Sequence, residues 1–283
     1  MYENVITKAM KHLLIYITAA LLVFSVFQPH LFADGKEPLS DLPKAVEDVR
    51  HLYAEENLIF LANKEYQVQK YYYKILSKTQ KLNVLTEVKG HFKKAITKAE
   101  EIFETGDDEV SQSAITKLKL GLAGTLNDII GLESEIKLAR LSLAAIFKDR
   151  SFSVGKMFDS GLEPVEFKFM NYATWFKASG LVSTPNVKGI YNSDNGLALQ
   201  KGFITAISTK DKLNLSKANR KISRALLVTE VANYDFGIGD AGDLFEALII
   251  YTRVLSGYFD SVYNFNMAVA ELNRLKSSWT GKP

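Results

Sequence analysis

Apolar residues recur at helical spacing along most of this chain, and proline and glycine interrupt them at few places. From Lys44 to Phe103 there is no proline, and Gly90 is the only glycine. Val46, Val49, Tyr53 and Phe60, then Leu85, Val88, Phe92, Ala95, Ala99 and Ile102, keep one helical face. A polar stretch around Gln67 to Gln80 weakens the phase. The spacing predicts one helix of about 60 residues, near 90 Å at about 1.5 Å per residue. It should end in a turn at Thr105 to Glu109, where Gly106 can take the left-handed conformation that stops helices. Ser111 or Asp108 can cap the next helix. Its seam runs Ile115, Leu118, Leu122, Thr125, Ile129, Leu132, Ile136, Ala139 and Leu143, in alternating steps of three and four. That alternation predicts a left-handed coiled coil packed on a neighbouring helix.

The pattern breaks between residues 149 and 195, which hold Gly155, Gly161, Pro164, Gly180, Pro185 and Gly189. There Val165, Phe167 and Phe169 alternate with Glu166 and Lys168, the pattern of a short strand, and Ser151 to Phe158 is a second candidate. Helical spacing returns from Leu197 to Tyr234. A second turn follows at Phe236 to Gly242, and Asp243 can cap a fourth helix. The last seam runs Leu244, Leu248, Tyr251, Leu255, Tyr258, Val262, Phe265, Val269 and Leu272. The two turns are near copies: Phe103-Glu-Thr-Gly106-Asp107 and Phe236-Gly-Ile-Gly239-Asp240. A repeat at this scale states the architecture. The expected fold is mainly α, with two long antiparallel coiled-coil helical hairpins over 44–148 and 196–276. A short irregular, β-containing insert at 149–195 separates them. Residues 34–43 are a linker and 277–283 a tail.

The N-terminus argues for export. Met10-Lys11-His12 precedes an uncharged run from Leu13 to Phe27, shorter than the about 20 apolar residues that cross a bilayer. Residues 1–33 therefore read as a signal peptide with Ala33 as the last residue removed, the alternative being an uncleaved anchor.

Composition narrows the chemistry. The formal net charge is +3 and basic residues are interleaved with acids, with Lys93-Lys94 and Arg220-Lys221 the densest spots, so no nucleic-acid partner is expected. With no cysteine there is no disulfide, thiolate metal site or cysteine nucleophile. His12, His30, His51 and His91 are too scattered for a metal site. No phosphate-binding, dinucleotide or nucleophile-elbow motif occurs, so neither catalysis nor a cofactor is expected. Tyr251, Tyr258, Phe259, Tyr263 and Phe265 sit at heptad spacing and read as core. Asp107, Asp108 and Glu109 cluster at the first turn, and Asp240 and Asp243 at the second. Carboxylates at helix N-termini offset the helix dipole by about 0.3–1 kcal/mol each. At the tip of an oligomer they could also select cations or meet a basic partner. The candidate functional residues are therefore those of the tips: Gly106, Asp107, Asp108, Gly239, Asp240 and Asp243.

These residues carry a family resemblance. Phe236-Gly-Ile-Gly-Asp-Ala-Gly-Asp-Leu-Phe-Glu-Ala-Leu248, with Tyr258-Phe-Asp-Ser-Val-Tyr-Asn-Phe-Asn-Met-Ala-Val-Ala-Glu-Leu272, resembles the closing repeat of the outer-membrane efflux proteins of the TolC type. Arg224 to Tyr234 resembles the helix before it, and Phe103 to Phe147 is similar to the tip and returning helix of the first repeat. The resemblance implies a trimeric tunnel in the periplasm or outer membrane of a Gram-negative-type cell. It implies docking to periplasmic adaptors and inner-membrane pump proteins, with Gly239, Asp240 and Asp243 near the periplasmic mouth. A membrane strand needs about 9–11 residues, so 149–195 is too short for the family's strands with their loops. The hairpins are expected to survive without the full barrel. The alternative is a barrel-less periplasmic scaffold or adaptor that docks partners and does not conduct.

Overall fold

A computed structural model describes residues 42–105, 110–148, 161–181 and 194–280. The described residues form six helices: α1 (Leu42–Leu52), α2 (Leu58–Glu104), α3 (Gln112–Ile146), α4 (Tyr172–Ala178), α5 (Asp194–Asp235) and α6 (Ala241–Thr280). Residues 1–41, including the expected signal peptide, lie outside the described residues.

The single first helix expected from Lys44 to Phe103 is two. Asn57 ends the break at residues 53–57, its side chain accepting the Phe60 backbone N–H at 2.9 Å. No proline or glycine marks this point, and the amide cap does the work of starting a new helix. The break lets α1 pack on α2. Arg50 Nε meets Glu65 Oε1 at 2.6 Å, and the Tyr53 hydroxyl donates to the Ile146 carbonyl at 2.8 Å. That second bond ties the break to the end of α3.

The strand expected at Val165–Phe169 is also absent. The segment is extended, and its alternation holds, with Phe167 buried and Glu166 and Lys168 exposed. Its partner is a side chain instead of a second strand. Asn266 of α6, itself buried, accepts the Val165 N–H and donates to the Glu163 carbonyl, both at 2.9 Å. Lys210 of α5 takes the Phe167 carbonyl at 2.7 Å. These bonds satisfy backbone groups that a ladder would otherwise have to pair. Phe167, Tyr172 and Trp175 then close around Phe203 of α5. The other strand candidate, Ser151–Phe158, lies outside the described residues.

The four long helices pack in the order α3–α2–α6–α5, and α3 also touches α6 across α2. Within each hairpin the helices are antiparallel. The hairpins meet through α2 and α6, and there too the directions oppose: Asn63 pairs with Arg274, Lys81 with Asp260, Glu87 with Tyr251, and the Phe92 ring with Phe245. Every residue of the expected α6 seam is buried. On α3 Ile115, Leu118, Thr125, Leu132, Ala139 and Leu143 are buried, as its heptad requires. The two hairpins thus lie side by side, and α3 and α5 share no packed interface.

Candidate functional site

The second tip is built by backbone constraints. Gly237 adopts φ +73°, the left-handed conformation glycine allows at low cost. The Ile238 and Gly239 N–H groups then both donate to the Asn233 carbonyl, at 2.9 and 3.0 Å. Gly239 is needed for a different reason: a Cβ there would lie 2.9 Å from Asn233 Cβ. Asp240, not Asp243, caps α6. Its Oδ1 accepts the Gly242 and Asp243 N–H groups at 2.6 and 2.8 Å. Asp243 lies in the first turn, where its charge faces the helix dipole.

The tip is fastened to α2. Lys98 donates to the Tyr234 and Asp235 carbonyls at 2.6 and 2.9 Å, and the Tyr234 hydroxyl donates back to the Ala95 carbonyl at 3.1 Å. Beyond this fastening, Phe236 and Ile238 are 80% and 79% exposed, the most exposed large apolar residues described. Of the six residues singled out from sequence, Gly239 and Asp240 are brought together in this turn and Asp243 follows within it. Gly106, Asp107 and Asp108 lie outside the described residues. At the flanks of that first tip, Ser111 caps α3 by accepting the Ala114 N–H at 3.2 Å.

Farther from the tip, one charged cluster bridges three helices. Arg224 of α5 reaches across α6, donating to Glu87 of α2 and to the Tyr251 hydroxyl, which donates to Glu87 Oε2 at 3.0 Å. The guanidinium also lies over the Tyr251 ring. Burial pushes the Tyr251 phenol up, and the Glu87 charge adds to it. Burial holds the neighbouring His91 imidazole below its ordinary value.

The sequence reading missed the outer surfaces of the edge helices. On α5, Leu197, Ile204, Leu215 and Ile222 are exposed, on the side opposite buried Leu199, Phe203, Ala206 and Leu213. Their spacing of seven, eleven and seven keeps them on one straight stripe at about 3.6 residues per turn. On α3, Leu120, Ile130, Leu138 and Leu141 are exposed opposite the buried seam. The signal was present as a second apolar phase beneath the first. Among the described residues, no three acidic or histidine side chains come together to hold a metal ion, and no helix is long and apolar enough to cross a membrane.

No family model and no curated protein matches the chain. Solved structures do. The outer-membrane channel OprN aligns with a TM-score of 0.58 and 11% identity, over 85% of this chain and 70% of that chain. The CmeC outer membrane channel of Campylobacter jejuni gives 0.60 and 9%, over 83% and 66%. The outer membrane protein VceC of Vibrio cholerae gives 0.58 and 10%, over 83% and 74%. At such identities the likeness shows the fold alone. The chain has the helical fold of the TolC-type outer-membrane channels.

Proposed function

We propose that this chain is a TolC-like efflux or secretion component, exported to the periplasm or outer membrane, whose hairpins form the wall of a periplasmic tunnel for transport. The observation that carries this reading is the apolar stripe on each edge of the helical layer. Apolar side chains aligned along the outer face of an edge helix suit an interface with another copy. Burying each Leu or Ile is worth about 1.5–3 kcal/mol. The helices alternate in direction across the layer, so α5 of one copy set against α3 of the next continues the alternation. Such head-to-tail contacts close into a ring when the rotation between copies returns to its start. The family resemblance implies three copies. The tip residues Gly239, Asp240 and Asp243, with exposed Phe236 and Ile238, would meet periplasmic adaptor and inner-membrane pump proteins. Gly106, Asp107 and Asp108 would form the matching tip of the first hairpin.

The deciding experiment is light scattering of the full chain with its Leu215→Ser/Ile222→Ser variant, combined with fractionation and conductance in planar bilayers. A trimer lost in the double variant, with outer-membrane partitioning and conductance, supports the tunnel. A stable monomer at micromolar concentration sinks it.

A second reading is favoured by residues 161–181. They run as an extended segment and α4 against α5 and α6, where the family places membrane strands. On that reading the protein is a barrel-less periplasmic scaffold that keeps the hairpins for docking. It would assemble through the same edges and show no conductance.

A further inference from the structure

A groove on the face of the layer carries chemistry that neither packing nor edge assembly uses. Its floor is α2, where Lys70, Lys74 and Lys78 follow at four-residue spacing, a rise of about 6 Å each. Like charges at that spacing disfavour a helix by about 0.2–0.5 kcal/mol per pair, and among the described residues only Lys78 of the three has a carboxylate to offset it, Glu135 of α3. The three lysines line a cavity of about 310 Å³ walled by α3 and α6. Small-molecule sites begin at about this size.

Two carboxylates reach the cavity, and both are already engaged. Glu135 of α3 lies 2.7 Å from Lys78 Nζ, and Asp260 of α6 lies 2.6 Å from Lys81 Nζ. Lys81 is only 8% exposed, so that pair is part of the wall. Lys74 has no hydrogen-bond or ion-pair partner among the described residues, and Lys70 only lies near the Tyr71 ring, at 5.7 Å. From α6, Tyr263 and Asn264 line the same cavity without a hydrogen bond to any described residue. Burial pushes the Tyr263 phenol up, helped by Tyr66 and Tyr71, so it stays a donor at neutral pH.

We propose that this groove binds a small anion bearing phosphate or carboxylate groups, held by Lys70, Lys74, Tyr263 and Asn264. Two ammonium groups one turn apart can share the oxygens of one such group through charge-assisted hydrogen bonds. The phenol and amide donors fix its orientation. Each acid already faces a lysine, which leaves the unpaired charge of the groove positive.

The test uses the full chain, inorganic pyrophosphate and titration calorimetry at low ionic strength, where exposed charges are least screened. One saturable site per chain is expected. Lys70→Gln/Lys74→Gln should weaken it about tenfold or more, the scale of losing charge-assisted contacts. Lys93→Gln/Lys94→Gln, which removes two exposed lysines elsewhere on α2, should leave it unchanged. Glutamine is a good helix former, so helicity should hold in both variants. Independently, pyrophosphate should slow acetylation of Lys70 and Lys74 in the unmodified chain and not that of Lys93 and Lys94. Absence of saturable heat, equal weakening in both double variants, or no selective protection overturns the proposal. Cosedimentation with phosphatidylglycerol vesicles separates the sources. Vesicle binding displaced by pyrophosphate assigns the site to a lipid headgroup, and pyrophosphate binding without vesicle binding assigns it to a free phosphate compound.

Discussion

The inner and outer helices of the layer spend the same residue types differently. Around α6, burial extends beyond the seam to an unbroken run from Phe265 to Ala270, and ion pairs tie α6 to α2 and α2 to α5. The inner helices are complete within one chain. On α5, leucine and isoleucine divide into an inward stripe and an outward one, and only the first is buried. The difference is the basis of the proposed edge assembly, and it can be tested position by position.

The largest contrast should come from truncating the two classes. Leu248→Ala removes a fully buried α6 side chain and should cost about 2–5 kcal/mol in denaturant unfolding. Ile222→Ala, 69% exposed, should change the isolated chain by less than about 0.5 kcal/mol. Equal losses would erase the distinction between inner and outer helices.

Two glycines of α3 should respond with opposite signs. A Cβ on Gly121 would lie 2.7 Å from the Phe92 ring and 2.9 Å from the Phe245 ring. Gly121→Ala should therefore cost about 1–3 kcal/mol through overpacking. At Gly131 a Cβ meets nothing within 4 Å, so Gly131→Ala should stabilise the helix, by up to about 1 kcal/mol. Matching signs in thermal melts would mean that Gly121 does not face the inner helices as described.

At the second tip, Asp240→Ala should lose the cap of α6 and about 1 kcal/mol. Asp243→Ala removes only a charge near the helix dipole, at most about 1 kcal/mol and reduced by salt. A larger loss at Asp243, measured in high salt, would return the cap to that residue.

The smallest effect is one of pH. His91 is held below its ordinary value first by burial, with Lys94 and Arg224 acting in the same direction against Glu87 and Asp235. The unfolded chain then binds the proton more readily. Stability is full above about pH 6.5 and is lost as pH falls through the depressed native value. His91→Gln should flatten that acid limb of the unfolding midpoint, and an unchanged slope would assign it to other groups.

The hairpins were legible because α3 and α6 each bury a seam of 3.5-residue period. The weak phase of α2 around Gln67 to Gln80 has a structural cause: α1, α3 and α6 all pack on that helix, and its lysines floor a groove. A helix contacted on several sides shows no single period. The break before Asn57 is faint in the sequence because an amide cap is a weaker sign than proline or glycine. Asp243 suits a cap in sequence because the apolar seam begins at Leu244, whereas α6 starts at Ala241 and Asp240 precedes it. The outer stripe of Leu197, Ile204, Leu215 and Ile222 was in the sequence throughout. Helical spacing is the same whether an apolar face meets its own chain or another copy, so sequence alone does not sort the two.

The antiparallel seam between α2 and α6 also sets an order of events in folding. Each hairpin joins helices that follow one another in the chain, whereas Glu87 and Tyr251 are 164 residues apart and Asn63 and Arg274 are 211. Closing contacts across such separations is entropically slow, so the hairpins should form early and zip together late. Until α6 docks, the face of α2 that it covers stays bare, and a hairpin that has formed alone exposes it.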